Sequence, residues 1–144
     1  MIILMLNIKS LLLLAILAII AVSCAKIFSK GASKTMAIDT YANMGVDEFQ
    51  TLIADPRVQL LDVRSKEEFD EGHIAGATLI DVNDSTFIDQ AMAVLDLQRE
   101  VAVYCRSGRR SARAASQLAS KGLKVTNLAG GVIAWQDAGK TLVK

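Results

Sequence analysis

The chain has 144 residues, with 16 basic and 15 acidic side chains, one histidine and two cysteines. That length holds one domain and leaves little room for a second, and the near balance of charge gives no general attraction for nucleic acid or an anionic membrane surface. No group of Cys, His and acidic residues has metal-ligand spacing, and no Gly-rich phosphate loop of the nucleotide-binding kind is present, so neither a metal nor an organic cofactor is expected.

In chain order, the first 23 residues carry a single charge, Lys9, and Leu11–Val22 is an unbroken run of twelve apolar residues. Twelve is short for a membrane-spanning helix and fits the hydrophobic centre of a secretory leader. Met5 is an alternative start to Met1, because MLNIKS makes the more ordinary opening for such a leader. The run ends Ala21-Val22-Ser23-Cys24-Ala25. Small residues before a cysteine in this place resemble a bacterial lipoprotein signal, which implies that Cys24 is lipidated and becomes the first mature residue. Ala21 and Val22 depart from the usual Leu and Ala or Ser at those positions, so an uncleaved anchor and ordinary cleavage stay open. All three place the domain outside the cytoplasm, a membrane-tethered periplasmic lipoprotein foremost. Without residues 1–23 the sixteen basic side chains fall to fifteen, equal to the fifteen acids.

Residues 24–37 are Ser/Lys-rich and aperiodic, a tether, and the folded domain is expected over 38–144. Ile38–Tyr41 fits a short edge strand. Val46–Ile53 carries Val46, Phe49, Leu52 and Ile53 at helical spacing and is ended by Asp55-Pro56. Val58–Val63 reads as a buried strand. Ser65-Lys66-Glu67-Glu68 is a capping box opening a short helix that closes at Gly72. A strand is expected at Ala77–Val82, a helix over Asp84–Leu95, and a strand at Glu100–Tyr104. A helix follows from Ser111 to Gly122, then a strand at Leu123–Leu128, a Gly130-Gly131 turn and a last helix through Trp135. Alternating strands and helices with short connections predict a mostly parallel sheet with helices on both faces.

The chemistry concentrates between Glu100 and Gly122. Cys105 falls where a strand ends, at the edge where such sheets bind ligands. Cys105–Arg110 is a short cationic loop that wraps into a helix N-terminus. Its backbone N–H groups and the first free N–H groups of the helix favour negative charge at one point. Arg106, Arg109, Arg110 and Arg113 fall within eight residues with no acid among them. A thiol in that field has a lowered pKa and is reactive as thiolate, and the same field attracts an incoming anion. With Cys24 assigned to lipidation, Cys105 has no disulfide partner. Read singly, a cysteine at a strand end is a small buried apolar residue and an arginine cluster a solvated face. Their co-location points to an anion cradle around a nucleophile.

Three segments together make the chain resemble a single-domain rhodanese. They are Leu60–Arg64 with Glu67, Phe69 and Gly72-His73-Ile74-Ala75-Gly76-Ala77; the loop Cys105–Ser111; and Leu128-Ala129-Gly130-Gly131 with Trp135 and Ala138-Gly139. The resemblance implies a rhodanese-like α/β domain with a central five-stranded sheet. It implies that Cys105 takes a sulfane sulfur from a small anion such as thiosulfate, forms a persulfide and passes it to cyanide or a thiol. Substrate-binding roles fall to Arg106, Ser107, Gly108, Arg109, Arg110 and Ser111, with Arg106 and Arg109 expected to face the pocket and Arg113 to be solvated. Asp62, Arg64 and His73 are expected to be structural supports, the first two as an ion pair bracing loops and His73 through a bond to backbone. Trp135 is expected in the core.

Three rival functions stand beside this one. A dedicated persulfide carrier serving a protein partner would use the same loop. Cysteine phosphatases of this fold place five residues between Cys and Arg; here Ser111 occupies that position, and Arg110 closes a loop with four. Non-catalytic binding modules of the family typically lack the cysteine.

Overall fold

The structure is a computed structural model and describes residues 40–144. The leader over 1–23, Cys24 and the tether over 24–37 lie outside the described residues. Five strands form one sheet: β1 (Ala42–Met44), β2 (Gln59–Asp62), β3 (Thr78–Leu79), β4 (Val101–Tyr104) and β5 (Val125–Leu128). Their spatial order is β1-β5-β4-β2-β3, and every neighbouring pair is parallel. Five helices connect them: α1 (Val46–Ile53), α2 (Lys66–Glu71), α3 (Phe87–Val94), α4 (Arg109–Ala119) and α5 (Gly131–Asp137).

Strand alternation divides the core into two layers. Leu61, Val63, Val101, Val103 and Cys105 point to one face, where Phe87 and Ala91 of α3 and Ala114, Ala115 and Leu118 of α4 cover them. Leu60, Ala102, Tyr104 and Leu128 point to the other, beneath Phe49 of α1 and Val132 and Trp135 of α5. Each fully buried large apolar side chain, such as Leu61 or Leu118, stabilises the fold by about 1.5–3 kcal/mol. The central strand β4 is buried along its whole length. Cys105 therefore leaves a fully buried strand on the α4 face.

Several boundaries differ from the sequence expectation for local reasons. The edge strand expected at Ile38–Tyr41 begins at Ala42, in register with Thr126; Ile38 and Asp39 lie outside the described residues, and Tyr41 packs against the α4-side core. Helix α3 starts at Phe87 rather than Asp84, because the Asp84 carboxylate accepts the Thr86 N–H at 2.8 Å and fixes a turn ahead of it. Leu123 closes the end of α4 by donating to the Leu118 carbonyl, so β5 begins later, at Val125. The capping box of α2 is formed as the sequence reads: Ser65 Oγ accepts the Glu68 N–H and the Glu68 carboxylate accepts the Ser65 N–H.

Candidate active site

The β4–α4 loop is shaped by two glycines and by α5. Gly108 sits in the left-handed region, φ 88°, and there the chain turns to begin α4 at Arg109, two residues before the expected Ser111. A side chain at Gly108 would meet the Gly130 nitrogen at 3.0 Å and the Leu128 carbonyl at 3.2 Å. Across the loop, the first N–H groups of α5 take its carbonyls: Val132 donates to Cys105 O at 2.9 Å and Ile133 to Arg106 O at 3.1 Å. That approach requires Gly131, since a Cβ there would collide with the Cys105 carbonyl and the Arg106 peptide. With the carbonyls drawn toward α5, loop N–H groups are left to face inward.

What they face is Cys105 Sγ. The sulfur is fully buried and accepts hydrogen bonds from the Gly108 N–H at 3.2 Å and the Ser111 hydroxyl at 3.3 Å. Burial alone would push the thiol pKa up. The Ser111 hydroxyl and the N–H groups of Ser111, Ser107 and Gly108 outweigh it, and the net shift is downward. Ser111 is itself fully buried. Its hydroxyl, expected among the substrate-binding groups, donates to the nucleophilic sulfur.

The arginines separate into distinct environments. Arg110 gives Nη1 to Glu68 Oε2 and Nη2 to Glu68 Oε1, both at 2.7 Å, in a half-buried bidentate pair. Its terminal nitrogens, expected at the substrate, brace the loop against the cap of α2. The Arg110 hydrogen bonds hold the Glu68 carboxyl below its ordinary value. Arg106 opens on a groove of about 540 Å³ with Glu68, Glu71, Ile133 and Leu142. Arg109 lines a pocket of about 400 Å³ with Ser107, Arg110 and Arg113. Arg106 and Arg109 are exposed and have no ion-pair partner among the described residues. Arg113 is exposed and donates to the Val82 carbonyl at 3.3 Å and to Asn83 Oδ1 at 2.9 Å.

Beneath the loop lies a buried network. Arg64 Nη2 donates to Asp62 Oδ2 at 2.7 Å and to the Gly72 carbonyl at 2.8 Å, and its guanidinium lies 5.7 Å from the Tyr104 ring centre. Tyr104 Oη accepts the Ile74 N–H at 3.0 Å, and burial together with Asp62 pushes its hydroxyl pKa well up. His73 Nδ1 is 3.1 Å from the Phe69 carbonyl, which only accepts, so Nδ1 carries the proton; the imidazole stacks on the Phe69 ring at 3.7 Å. The His73 backbone exchanges two hydrogen bonds with Val143, and Trp135 Nε1 donates to the Thr141 carbonyl at 3.0 Å, so both hold the C-terminal segment. None of these side chains hydrogen-bonds to Cys105 Sγ. Sequence reasoning missed Glu68 as a loop partner and Tyr104 as the support of Ile74. Glu68 already had a local explanation as a cap, and Tyr104 read as one more apolar strand residue. Among the described residues no cluster of His, Cys, Asp and Glu has metal-site geometry.

Comparison with known proteins agrees with this geometry. The model of the rhodanese-like domain family matches residues 45–138. Thiosulfate sulfurtransferase 18 of Arabidopsis thaliana is 30% identical over 121 residues, covering 76% of this chain and 88% of its own. Thiosulfate sulfurtransferase GlpE of Shewanella oneidensis is 33% identical over 103 residues, covering 70% and 98%. The crystal structure of a rhodanese-related protein from Thermoplasma volcanium superposes with a TM-score of 0.63 at 27% identity, covering 72% of this chain and 98% of that one. A parallel five-stranded sheet, a cysteine loop at its carboxyl edge and a family match over more than half of the chain make this protein a member of the rhodanese-like domain family, akin to chains named sulfurtransferases.

Proposed function

We propose that this protein is a sulfurtransferase in which Cys105 accepts a sulfane sulfur as a persulfide and passes it to a thiophilic acceptor. The observation that carries this reading is the buried sulfur bonded by the Gly108 N–H and the Ser111 hydroxyl, with its pKa lowered. A thiolate so held attacks the outer sulfur of a donor such as thiosulfate. The S–S bond of the donor breaks, its electron pair leaves with sulfite, and the new persulfide carries its negative charge at the same inward N–H groups. An acceptor thiolate or cyanide then attacks the outer sulfur, and Cys105 returns as thiolate. No step transfers a proton at Cys105, so no general base is needed there. Ser107 and Gly108 contribute N–H groups to this cradle, Arg106 and Arg109 supply free cationic forks at its mouth, and Arg110 keeps its shape through Glu68.

Intact mass of the purified protein before and after thiosulfate tests the reading. A gain of about 32 Da, removed by cyanide and absent from Cys105→Ser, is the expected result for one added sulfur. No gain with thiosulfate, polysulfide or a persulfidated thiol sinks it. The rival phosphatase reading is disfavoured by the four-residue loop, and it would win if an aryl phosphate were hydrolysed faster than thiocyanate formed.

The placement we propose is extracytoplasmic and membrane-tethered through lipidated Cys24, resting on the apolar run Leu11–Val22 and the small residues before the cysteine. Intact mass of the membrane-extracted protein would show the lipid adduct at Cys24, and a Cys24→Ala protein that fractionates and weighs the same as wild type would remove the basis for it.

A further inference from the structure

The mouth of the loop has two unlike sides. On the Arg106 side, the groove carries two guanidinium groups, Arg64 and Arg106, and two carboxylates, Glu68 and Glu71, among apolar Ile133 and Leu142. On the other side, Ser107, Arg109, Arg110 and Arg113 form a pocket with no acidic lining residue. Arg110 there is neutralised by Glu68, whereas Arg109 and Arg113 have no acidic partner among the described residues. Arg113 is nevertheless fixed. The Val82 carbonyl and Asn83 Oδ1 accept from its Nη2, and neutral oxygens orient a guanidinium without cancelling its charge. Ser107, whose N–H helps lower the pKa of Cys105, also lines this pocket and so joins it to the sulfur.

We propose that Arg113, with Arg109, forms the subsite that receives the sulfonate end of an anionic sulfane-sulfur donor, so that donors bearing a sulfonate are selected one helical turn beyond the loop itself. The proposal rests on the reading of Cys105 as the sulfur-accepting nucleophile. An oxyanion on this side meets two uncompensated guanidinium forks. On the Arg106 side two carboxylates balance two guanidinium groups, which leaves that groove to the acceptor thiol. In the first half-reaction, the thiolate of Cys105 bonds the outer sulfur of thiosulfate, the S–S bond breaks, and sulfite departs with the electron pair from the Arg109–Arg113 pocket. In the second, the acceptor thiolate takes the outer persulfide sulfur and Cys105 is released as thiolate.

Double-displacement kinetics separate the two halves, because kcat/KM for donor and for acceptor report different steps. For Arg113→Gln, kcat/KM for thiosulfate is expected to fall about five- to tenfold, with the thiol-acceptor value unchanged. With inorganic polysulfide as donor, an anion without a sulfonate, the variant should lose clearly less than with thiosulfate. Arg113→Lys keeps the charge but not the fork, and should lose about two- to threefold with thiosulfate. The proposal is overturned if Arg113→Gln leaves thiosulfate kcat/KM unaltered, or lowers it equally for both donors. If Arg113→Gln does not fold, an Arg113→Lys enzyme indistinguishable from wild type on thiosulfate overturns it as well. Failure of the underlying reading looks different: neither donor would add sulfur to Cys105 in wild type.

Discussion

At the scale of the residue, the decisive contest is between burial and hydrogen bonding at one sulfur. Cys105 is fully enclosed, and enclosure by apolar neighbours such as Val103 and Ala114 favours the neutral thiol. Donors aimed at the sulfur reverse the outcome, and the Ser111 hydroxyl contributes most among them. A thiol whose pKa is lowered reacts at a rate that rises with pH through that depressed pKa and then levels off. Ser111→Ala removes one donor to the charged form, so the inflection should move upward. Below the inflection the rate of sulfur uptake should fall about three- to tenfold, in keeping with the loss of one hydrogen bond to a charged group. The plateau at high pH should be nearly retained, since the thiolate there forms regardless. Alkylation of Cys105 by iodoacetamide across the pH range measures this directly. A variant whose profile lies lower at every pH by the same factor would mean that Ser111 acts on shape rather than on charge.

At the scale of the element, α5 matters to the site more than its seven residues suggest. Its first N–H groups hold the loop carbonyls of Cys105 and Arg106, and that grip depends on the absence of a side chain at Gly131, φ 59°. Gly131→Ala places a methyl group against backbone that has no room to retreat. It should destabilise the protein by roughly 2–4 kcal/mol, combining left-handed strain with displacement of the loop. Denaturant unfolding measures the loss, and a variant as stable as wild type would show that loop and helix separate at little cost. The sequence revealed the paired glycines as a tight turn and revealed the loop as an anion cradle. It did not reveal that the two press on each other, because they are 25 residues apart and neither carries a mark of the other. The Glu68–Arg110 pair was hidden differently. Ser65 and Glu68 make a complete capping box, so local chemistry had already used the carboxylate, and only the folded sheet brings Arg110 to its remaining lone pairs. The early start of α4 escaped for a similar reason: Arg109 and Arg110 have no apolar periodicity, and Gly108 caps the helix by conformation rather than by a side chain.

At the scale of the molecule, the order β1-β5-β4-β2-β3 puts Cys105 at the end of the central strand, with α2 and α5 meeting the loop from other parts of the chain. The alternation of elements made the parallel sheet legible, but strand order and cross-chain ties depend on which faces meet. Those ties make acid a probe of the assembly. Arg110 holds the Glu68 carboxyl below its ordinary value, and Arg57 brings Asp55 down to about 2. Glu67, through its own backbone N–H, and Asp84, through the Thr86 N–H, are also lowered. Each is depressed in the folded state, so its contribution to stability is complete above the unfolded carboxylate range, about pH 4 to 4.5, and is lost as pH falls through the folded values. The melting temperature should therefore stay level from neutral pH to about 5 and fall below that. Of the four, only Glu68 joins two distant segments. Glu68→Gln should lower stability at pH 7 by about 1 kcal/mol, a modest figure because the pair is half-buried. The gap between variant and wild type should then narrow on acidification, as protons remove the same charge from the wild-type carboxylate. Melting curves of both proteins between pH 7 and 3 measure it. A gap that stayed constant across that range would mean that Glu68 serves the fold through its capping geometry alone, and that its charge does not bind the helix cap to the cysteine loop.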